Sequence, residues 1–375
     1  MASNLGMPVA VDAAVIEQEL TSLWKPEGES DRSAIRACSC NLVVIAHDRQ
    51  ESELLPELLA PVAEWHPCRS LVAYREDEIP GSADPGDSGM RAWINARCSV
   101  SATGGPHTCC EAVTVGARGS SVANLPNILV SLLVPDLPVF LYWRSFKPED
   151  QELAVKVADF ADLLIVDSHV SKDDARGRER LLSLLAHGRE GLAIRDLNWS
   201  RLTAWRDLIT QFFDPPALRR YAREICEVEI IRSVASPANI PTRTLLLTGW
   251  LASRLNWKRI SVERQDGQWI SRWNSASGEV VVRFSGAPTE PNQAPGIASI
   301  VLRTRNGPTF TVSREKGSSY VTARTEGLGP ALVHSVTEEA RDEVLLLIRE
   351  LSLAGQDQGF SQALAEALAL EQSFR

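Results

Sequence analysis

The stretch most informative about the fold is NILVSLLVPDLPVFLYWR, residues Asn127–Arg144. Its apolar run Ile128–Val134 has the character of a helix. Pro135 and Pro138 cannot donate to a strand ladder, so they belong to the turn that follows. The apolar and aromatic run Val139–Trp143 then predicts a strand that is covered on both faces, as the strands of an α/β sheet are.

The end of this predicted strand is a candidate binding position. Trp143 and Arg144 place an aromatic and a cationic side chain at the carboxyl edge of the strand. In open α/β sheets that edge is where ligands and partners usually bind. The alternative is that Trp143 only closes the hydrophobic core.

The composition limits the class of protein. The chain has 375 residues, 44% hydrophobic and 23% charged, which suits two globular domains. A net charge of −9 argues against a nucleic-acid or anionic-membrane binder, because such proteins carry a surplus of Lys and Arg. Since no apolar run approaches the roughly 20 residues of a membrane helix and no signal peptide is recognisable, we expect a soluble, cytoplasmic protein.

The cysteines and tryptophans are unusual in number. Seven cysteines, all within the first 226 residues, make a poor disulfide framework and suit a reducing compartment. Four of them are candidates for a redox role, and buried thiols are the alternative: Cys38, Cys40, Cys109 and Cys110. Their spacing does not fit a zinc knuckle, so no metal is predicted. Ten tryptophans hint at partner surfaces, although most of them can serve the core.

The pattern along the chain predicts an α/β fold with two domains. Up to residue 222, strands and helices alternate around one hairpin, which predicts a mixed sheet: Ser39–Ala46, Glu51–Glu64, Cys68–Tyr74, Arg91–Ser99 with Cys109–Val115, Ser120–Leu133, Val139–Trp143, Ala161–Asp167, Lys172–Ala186 and Trp199–Phe213. Pro56 is expected near the first turn of its helix.

Residues 223–375 are predicted to form an α+β domain with an antiparallel sheet. After a strand and a helix come six short alternating segments and two closing helices: Val228–Ser233, Thr242–Leu255, Arg259–Arg264, Trp269–Trp273, Glu279–Phe284, Ala298–Arg303, Thr309–Arg314, Ser319–Thr325, Thr337–Leu353 and Phe360–Gln372.

No catalytic motif is recognisable. The chain lacks a phosphate loop, a dinucleotide fingerprint and a nucleophile elbow, and nothing assembles a nucleophile, a base and an orienting group. We therefore predict neither an enzyme nor a cofactor. The turn around Arg118, in Gly116–Gly119, could hold an anion at a helix N-terminus, but an ordinary βα turn explains it better.

The segment His66-Pro67-Cys68-Arg69 lies between a predicted helix and a predicted strand. Arg69 could pair with a phosphate or a carboxylate, and Cys68 beside a cation could have a lowered pKa. The alternative is structural: Cys68 opens the strand as a small core residue and His66 caps the helix.

Four segments together carry a resemblance to a known family: WHPCRSLV (65–72), LLVPDLPVFLYW (132–143), DLNWSRLTAWRDLITQFFDPP (196–216) and LLLTGWLASRLNW (245–257). They resemble the OpcA family, the glucose-6-phosphate dehydrogenase assembly or subunit proteins. The resemblance covers most of residues 35–260, and His66–Arg69 and Trp199–Arg206 are its most specific motifs. The change in the composition and pattern of the sequence near residue 224 is similar to that family's division into an N-terminal and a C-terminal domain.

The resemblance implies a non-catalytic partner of glucose-6-phosphate dehydrogenase that promotes its active oligomer or raises its activity, at the entry to the oxidative pentose phosphate pathway. With this implied role, Trp199, Arg201 and Arg206 are expected near a groove or partner surface, and Trp205 in the core.

Two alternatives stay open. One is a sugar-phosphate enzyme or metabolite sensor in which Arg69, Arg118 and Arg144 hold an anion at the carboxyl edge of the first sheet. The other is a redox switch of the cysteines, which is compatible with either function.

Overall fold

The structure is a computed structural model that describes residues 12–23, 34–36, 38–76, 89–99, 107–145, 147–169, 191–233, 240–287, 296–314, 320–328, 333–337, 342–353 and 355–374. The chain forms two compact units. The first comprises Met1–Leu197 and Glu343–Gln356, and the second comprises Asn198–Asp342 and Asp357–Arg375. The predicted helix Lys172–Ala186 and the loop of the predicted hairpin lie outside the described residues.

The first unit is a sheet with helices between its strands. Its elements are α1 (Ala13–Leu23), β1 (Ala34–Arg36), β2 (Cys40–Ile45), α2 (Arg49–Trp65), β3 (Cys68–Arg75), β4 (Met90–Ser99), β5 (His107–Ala117), a 3-10 turn (Gly119–Asn124), α3 (Leu125–Ser131), β6 (Val139–Trp143), α4 (Gln151–Ala158), β7 (Leu163–Val166), β8 (Ala193–Asp196) and, from the end of the chain, α9 (Glu343–Ser352).

The first sheet has the strand order of a doubly wound fold. Its parallel strands run β5-β3-β2-β6-β7-β8, with β1 beside the start of β5 and β4 antiparallel on β5. Taken in chain order, these six strands have the spatial order 3-2-1-4-5-6 of nucleotide-binding α/β domains. All residues of β2 and β7 are buried, so both faces of the sheet are covered at these strands. The predicted mixed sheet and the covered strand Val139–Trp143 are thus confirmed.

The second unit follows with α5 (Leu197–Ser200), which crosses the boundary between the units, and then α6 (Thr203–Gln211), α7 (Arg219–Glu224), β9 (Ile225–Ser233), α8 (Thr242–Arg254), β10 (Lys258–Gln265), β11 (Gln268–Ser275), β12 (Gly278–Ala287), β13 (Gly296–Thr304), β14 (Thr309–Arg314), β15 (Tyr320–Glu326), β16 (Val333–Thr337) and α10 (Gln358–Gln372).

The second sheet has the order β10-β11-β12-β9-β13-β14-β15-β16. The α/β class is confirmed, but this sheet is mixed and not purely antiparallel, because β9 and β12 are parallel. The chain leaves β9 through α8 and a hairpin before it returns beside β9, and such a crossover permits parallel pairing. Buried and half-buried residues alternate along β13 and β14, so one face packs inward.

Helices α8 and α10 pack closely at Gly249. A β-carbon at this position would lie 2.2 Å from the carbonyl oxygen of Ala363 and 2.9 Å from the nitrogen of Ala367. Glycine is therefore required sterically, because the two backbones approach without room for a side chain.

Two helices differ from their predictions. The predicted helix Trp199–Phe213 is broken into α5 and α6, because the backbone turns at Arg201 and Leu202. Pro56 lies in the interior of α2 and not in its first turn, and Pro61 lies in the same helix. The long amphipathic pattern of α2 tolerates both prolines because its buried stripe, which includes Leu55, Leu59 and Val62, holds it on the sheet.

The boundaries of the two compact units differ from those of the predicted domains, 1–222 and 223–375. Residues 198–222 belong to the second unit, where the ring of Phe212 packs 4.9 Å from that of Phe310. Helix α9 belongs to the first, since the carbonyl oxygen of Ile348 lies 3.0 Å from Nε2 of His66. Packing between segments far apart in sequence decides both assignments.

Candidate functional site

The candidate site is the crevice at the carboxyl ends of β2 and β6, where the strand order of the first sheet reverses. In doubly wound sheets, ligands bind at this switch point, against the N-terminus of the helix that follows the first strand. Here that helix is α2, and the residues that lead into it are Ala46-His47-Asp48. None of them is glycine, whereas a phosphate needs glycines for close approach to the backbone.

Acidic side chains of the chain itself occupy the N-terminus of α2. The backbone N–H of Glu51 donates to Oδ1 of Asp48 at 2.8 Å, which caps the helix. The backbone N–H of His47 donates to Oε2 of Glu51 at 2.6 Å. The helix dipole that would attract a phosphate therefore already stabilises two carboxylates.

Arg144, which follows β6, closes the crevice from the other side. Its Nε donates to Oε1 of Glu51 at 2.8 Å. Its Nη1 donates to the hydroxyl of Tyr142 at 3.0 Å and also to Oε1 of Glu343 on α9. The Tyr142 hydroxyl itself donates to Oε1 of Glu343 at 2.9 Å. Burial lowers the pKa of Arg144, but Tyr142, Glu51 and Asp167 outweigh it, so the net pKa is raised.

We call Glu51, Tyr142, Arg144 and Glu343 the switch-point network. Because Arg144 is only 11% exposed and is held by two carboxylates, it is a structural cation in this arrangement. The sequence indicated Arg144 but neither of its partners. Glu343 stands 199 residues further along the chain, and no local pattern connects the two positions.

Trp143 is fully buried beside this network. The interpretation that it closes the core is therefore correct, and the expectation that it is presented at an exposed edge is wrong. The reason is that β6 is an inner strand, with β2 on one side and β7 on the other.

Arg118 lies at the same edge but three strands away. It follows β5, is half-buried, and its backbone N–H donates to the carbonyl oxygen of Gly89 at 2.8 Å. Neighbouring strands lie about 4.8 Å apart, so β5 and β6 are about 14 Å apart across β3 and β2. A cavity of about 210 Å³ opens near the turn after Arg118, and its charged lining residues are of both signs: Arg75, Glu149, Glu152 and Lys156.

Arg69 lies at the opposite edge of the sheet. It is the second residue of β3, and both Arg69 and Val139 pair with Asn41 of β2. Arg144 is five residues beyond Val139, which is about 16 Å along the strand direction. The three arginines of the sugar-phosphate alternative therefore do not converge on one anion.

The Arg69 side chain is buried in an ion-pair cluster. Its Nε donates to Oε2 of Glu111 at 2.8 Å, its Nη1 donates to the carbonyl oxygen of Leu132 at 2.8 Å, and Glu17 of α1 accepts from it as well. Arg69 and Glu111 are 3% and 4% exposed. Burial lowers the pKa of Arg69, but the bonds to Glu17 and Glu111 outweigh it and raise the pKa overall.

His66 ends α2. Its backbone N–H donates to the carbonyl oxygen of Val62 at 2.8 Å, as a helix-ending residue does. Its ring lies against α9, with Nε2 at 3.0 Å from the carbonyl oxygen of Ile348 and 3.2 Å from Oγ of Ser352. The interpretation of His66 as a helix cap is confirmed.

Trp199 and Arg201 are buried, 2% and 8% exposed, so the expectation that they lie at a surface groove is wrong. The indole Nε1 of Trp199 donates to Oδ2 of Asp357 at 2.8 Å, and its ring packs against Phe360 of α10. Half-buried Arg206 stacks on the same ring, with Cζ 3.7 Å from the centroid. These residues stabilise the second unit. Trp205 is fully buried, as predicted.

Four cysteines of the first unit lie near one another at the amino end of the sheet: Cys38, Cys40, Cys68 and Cys110. Cys40 of β2 pairs in register with Cys68 of β3, and a hydrogen bond from Cys68 lowers the pKa of Cys40. The same bond, and then burial, raises the pKa of Cys68. Burial also raises the pKa of the thiols of Cys38 and Cys110.

Cys109 belongs to β5, and its side chain lies outside the described part of the structure. Cys38, Cys40, Cys68 and Cys110 form no disulfide in the structure, and the redox role stays a prediction. Within the described ranges, no group of three or more His, Cys, Asp or Glu could hold a metal ion. Nor does any helix among those residues have the length and apolar character to cross a membrane.

Sequence reasoning missed one surface residue, Trp65. At the end of α2 its side chain is 73% exposed, which is unusual for tryptophan. Its position directly before the helix-ending His66 is the signal that could have identified it, because the apolar stripe of α2 ends at Val62.

Two family models match the chain. The glucose-6-phosphate dehydrogenase subunit N-terminal domain matches residues 60–183, and the C-terminal domain of the same subunit matches residues 192–364. Three relatives, from Nostoc punctiforme, Synechocystis and Synechococcus elongatus, carry the name "Putative OxPP cycle protein OpcA". The one from Nostoc punctiforme is 29% identical over 62% of this chain and 48% of its own length, and the one from Synechococcus elongatus is 27% identical over 98% and 83%. The chain thus spans about half the length of the former.

Among solved structures, an NAD-binding oxidoreductase from Klebsiella pneumoniae is similar with a TM-score of 0.49 and 10% identity, covering 90% of this chain and 97% of that one. At this score the likeness carries no conclusion about activity. The doubly wound topology rests on the strand order of the first sheet itself.

Proposed function

We propose, from the premise that this chain belongs to the glucose-6-phosphate dehydrogenase subunit (OpcA) family, that it is a non-catalytic partner of glucose-6-phosphate dehydrogenase. In this role it promotes the assembly or the activity of the functional oligomer of that enzyme, in the oxidative pentose phosphate pathway. The domain descriptions of both family models and the name of the OpcA relatives support the partner and the pathway.

The observation that carries the non-catalytic part is the switch-point network. Where a doubly wound enzyme binds its nucleotide, this chain places Glu51 and Glu343 on either side of Arg144. A phosphate entering there would meet the carboxylates of Asp48 and Glu51 at the N-terminus of α2. Both carboxylates repel a phosphate, and displacing Glu51 would remove one of the two carboxylates that pair with the buried Arg144.

An activator must bind the active state of the enzyme more tightly than the inactive state. A tenfold shift in that equilibrium corresponds to about 1.4 kcal/mol of differential binding. A stable complex should bury at least about 1,200 Å² in total. The exposed Trp65 is our candidate anchor for this interface, because tryptophan is enriched among residues whose truncation costs the most binding energy.

The test uses this protein and the glucose-6-phosphate dehydrogenase of the same organism, both purified. Size-exclusion chromatography with light scattering measures the complex and its stoichiometry, and a titration of NADPH formation measures activity. We expect co-elution at micromolar concentration and a saturable change in rate. The protein alone should show no dehydrogenase activity.

Two variants make the experiment specific. Trp65→Ala should weaken the complex by about 2 kcal/mol if Trp65 is the anchor. Leu54→Ala is the matched control, because Leu54 is also exposed on α2, at 58%, and lies three turns earlier in the helix. No complex and no change in rate with the unmodified protein would refute the proposed function. Equal binding of both variants would refute only the anchor.

A further inference from the structure

Helix α2 carries a second apolar row, which faces solvent, besides the buried residues that hold it on the first sheet. Leu58, Pro61 and Trp65 follow one another at intervals of three and four residues, so they lie along one face of the helix. Leu58 is half-buried, Pro61 is exposed and Trp65 is 73% exposed. An apolar row over about 10 Å of a surface helix, with an exposed tryptophan at its end, is typical of an interaction surface.

Two carboxylates border this row on one side. Glu57 lies four residues before Pro61 and Glu64 lies three residues after it, so both neighbour Pro61 on the helix surface. Both carboxylates are exposed, and neither makes an ion pair within the part of the chain that the structure describes. The apolar row therefore has an acidic border whose charge the chain itself does not balance.

The first half of α2 differs in its charge. Leu54 is exposed there as well, but the acidic residue beside it, Glu53, pairs with Arg49 at 3.1 Å. The unbalanced acidic charge thus begins at Glu57. We define the acidic end of α2 as five residues: Glu57, Leu58, Pro61, Glu64 and Trp65.

The charge at this end of α2 is opposite to the one that favours a helix. The peptide dipoles give the C-terminus of a helix a partial negative charge, which cations stabilise. The last turn of α2 contains no basic residue, whereas it does contain Glu64. Glu64 therefore destabilises the helix in the free protein, and a cation that binds beside it removes this cost. Such a conflict between a residue and its local structure is expected at functional sites.

We infer that the acidic end of α2 docks on glucose-6-phosphate dehydrogenase, at an apolar patch of the enzyme that is bordered by Lys or Arg; this inference rests on the function proposed above. The chemistry of the partner surface follows from charge, because an acidic border and the negative end of a helix dipole attract cations. A second copy of the same surface would instead place like charges opposite each other. Trp65 supplies the buried contact, while Glu57 and Glu64 orient the partner and speed association.

The test measures the Kd and the association rate of the full-length protein with the dehydrogenase of the same organism, by biolayer interferometry at about 50 and about 300 mM NaCl. Glu57→Lys and Glu64→Lys should each raise the Kd about threefold at low salt, and together about tenfold, mainly through slower association. The affinity of the unmodified protein should fall as salt increases, and that of the double variant should fall less, because screening acts on the attraction that the variant has lost.

Two controls separate docking from folding and from net charge. The Tm of free Glu64→Lys should be equal to or above that of the unmodified protein, because a cation in the last turn suits the helix dipole. Asp207→Lys is the matched control for each single variant, since it makes the same change of charge at an exposed position of another helix, α6. Its Kd should stay within about twofold of that of the unmodified protein.

The outcomes distinguish the docking surface from the proposed function. A double variant that binds as tightly as the unmodified protein, or more tightly, would overturn the docking surface and leave the proposed function intact. An equal loss of affinity in Asp207→Lys would also overturn it, because net charge alone would then explain the effect. If the unmodified protein and the dehydrogenase form no complex, the docking surface and the proposed function both fail.

Discussion

Replacement of Arg69 gives the sharpest test of how the first sheet is held together. Arg69→Leu removes the guanidinium and leaves the carboxylate of Glu111, which is 4% exposed, in the protein interior. It also removes the hydrogen bond that Nη1 of Arg69 donates to the carbonyl oxygen of Leu132, which is 2.8 Å long in the unmodified protein. Breaking one partner of a buried ion pair costs about 3–5 kcal/mol, since the remaining charge is not solvated.

A double variant separates the ion pair from the loss of packing. Arg69→Leu with Glu111→Leu removes both charges, so it should recover at least about half of the loss, because buried pairs replaced by apolar side chains are often close to neutral. As a control, Arg49→Leu breaks an exposed pair with Glu53 one helical turn away and should cost less than about 0.5 kcal/mol.

The assay is urea unfolding of each variant, followed by tryptophan fluorescence and circular dichroism, with the midpoint and slope fitted for the transition that reports the first unit. A loss below about 1 kcal/mol for Arg69→Leu would refute the reasoning. So would a double variant that is as unstable as the sum of the two single variants, because the two charges would then act independently.

Three further predictions concern other parts of the chain. Gly249→Ala should destabilise the second unit by about 1–3 kcal/mol, measured as a lower Tm, because the new methyl group would overlap the backbone of α10; an unchanged Tm would contradict the close packing. Asp357→Ala should cost about 1–3 kcal/mol, since Asp357 caps α10 and accepts from the Trp199 indole, whereas exposed Gln362→Ala on the same helix should stay within about 0.5 kcal/mol. The Cys38 thiol should react slowly with iodoacetamide at pH 7 and faster as the pH rises, because burial raises its pKa and less thiolate is present at neutral pH; peptide mass spectrometry should find this difference lost in urea, and equal rates in folded and unfolded protein would contradict it.

Much of the fold could be predicted from local patterns. Val139–Trp143 is a strand with the predicted bounds, because a continuous apolar run after two prolines leaves the chain few alternatives. The predicted strand Thr309–Arg314 also has the predicted bounds, since alternation identifies a half-buried strand. Arg259–Arg264 corresponds to a strand as well, although none of its residues is buried. The prediction of a single helix over Trp199–Phe213 was wrong, because one amphipathic pattern can continue through a turn. The buried residues Trp205, Leu208 and Ile209 define a helix only from Thr203 onward and do not determine the backbone before it.

The candidate residues were harder to interpret than the fold. The sequence marked Arg69, Arg144 and Trp199 as unusual, and all three are in fact held by specific partners. We predicted them as binding residues because a sequence motif that contains an arginine or a tryptophan does not reveal whether that side chain contacts a ligand or another part of the chain. The partners Glu111, Glu343 and Asp357 stand 42 to 199 residues away.

The sequence by itself determined the α/β class, the family resemblance and the absence of a recognisable catalytic motif, because these depend on composition, on periodicity and on short motifs. Only the tertiary structure decided what the charged residues do. It placed Arg144 between Glu51 and Glu343 at the switch point, and it brought Arg243 and Arg314 together beside Gly296. The physical reason is that the energy of a charge depends on its burial and on its neighbours, and strand register and helix packing set both.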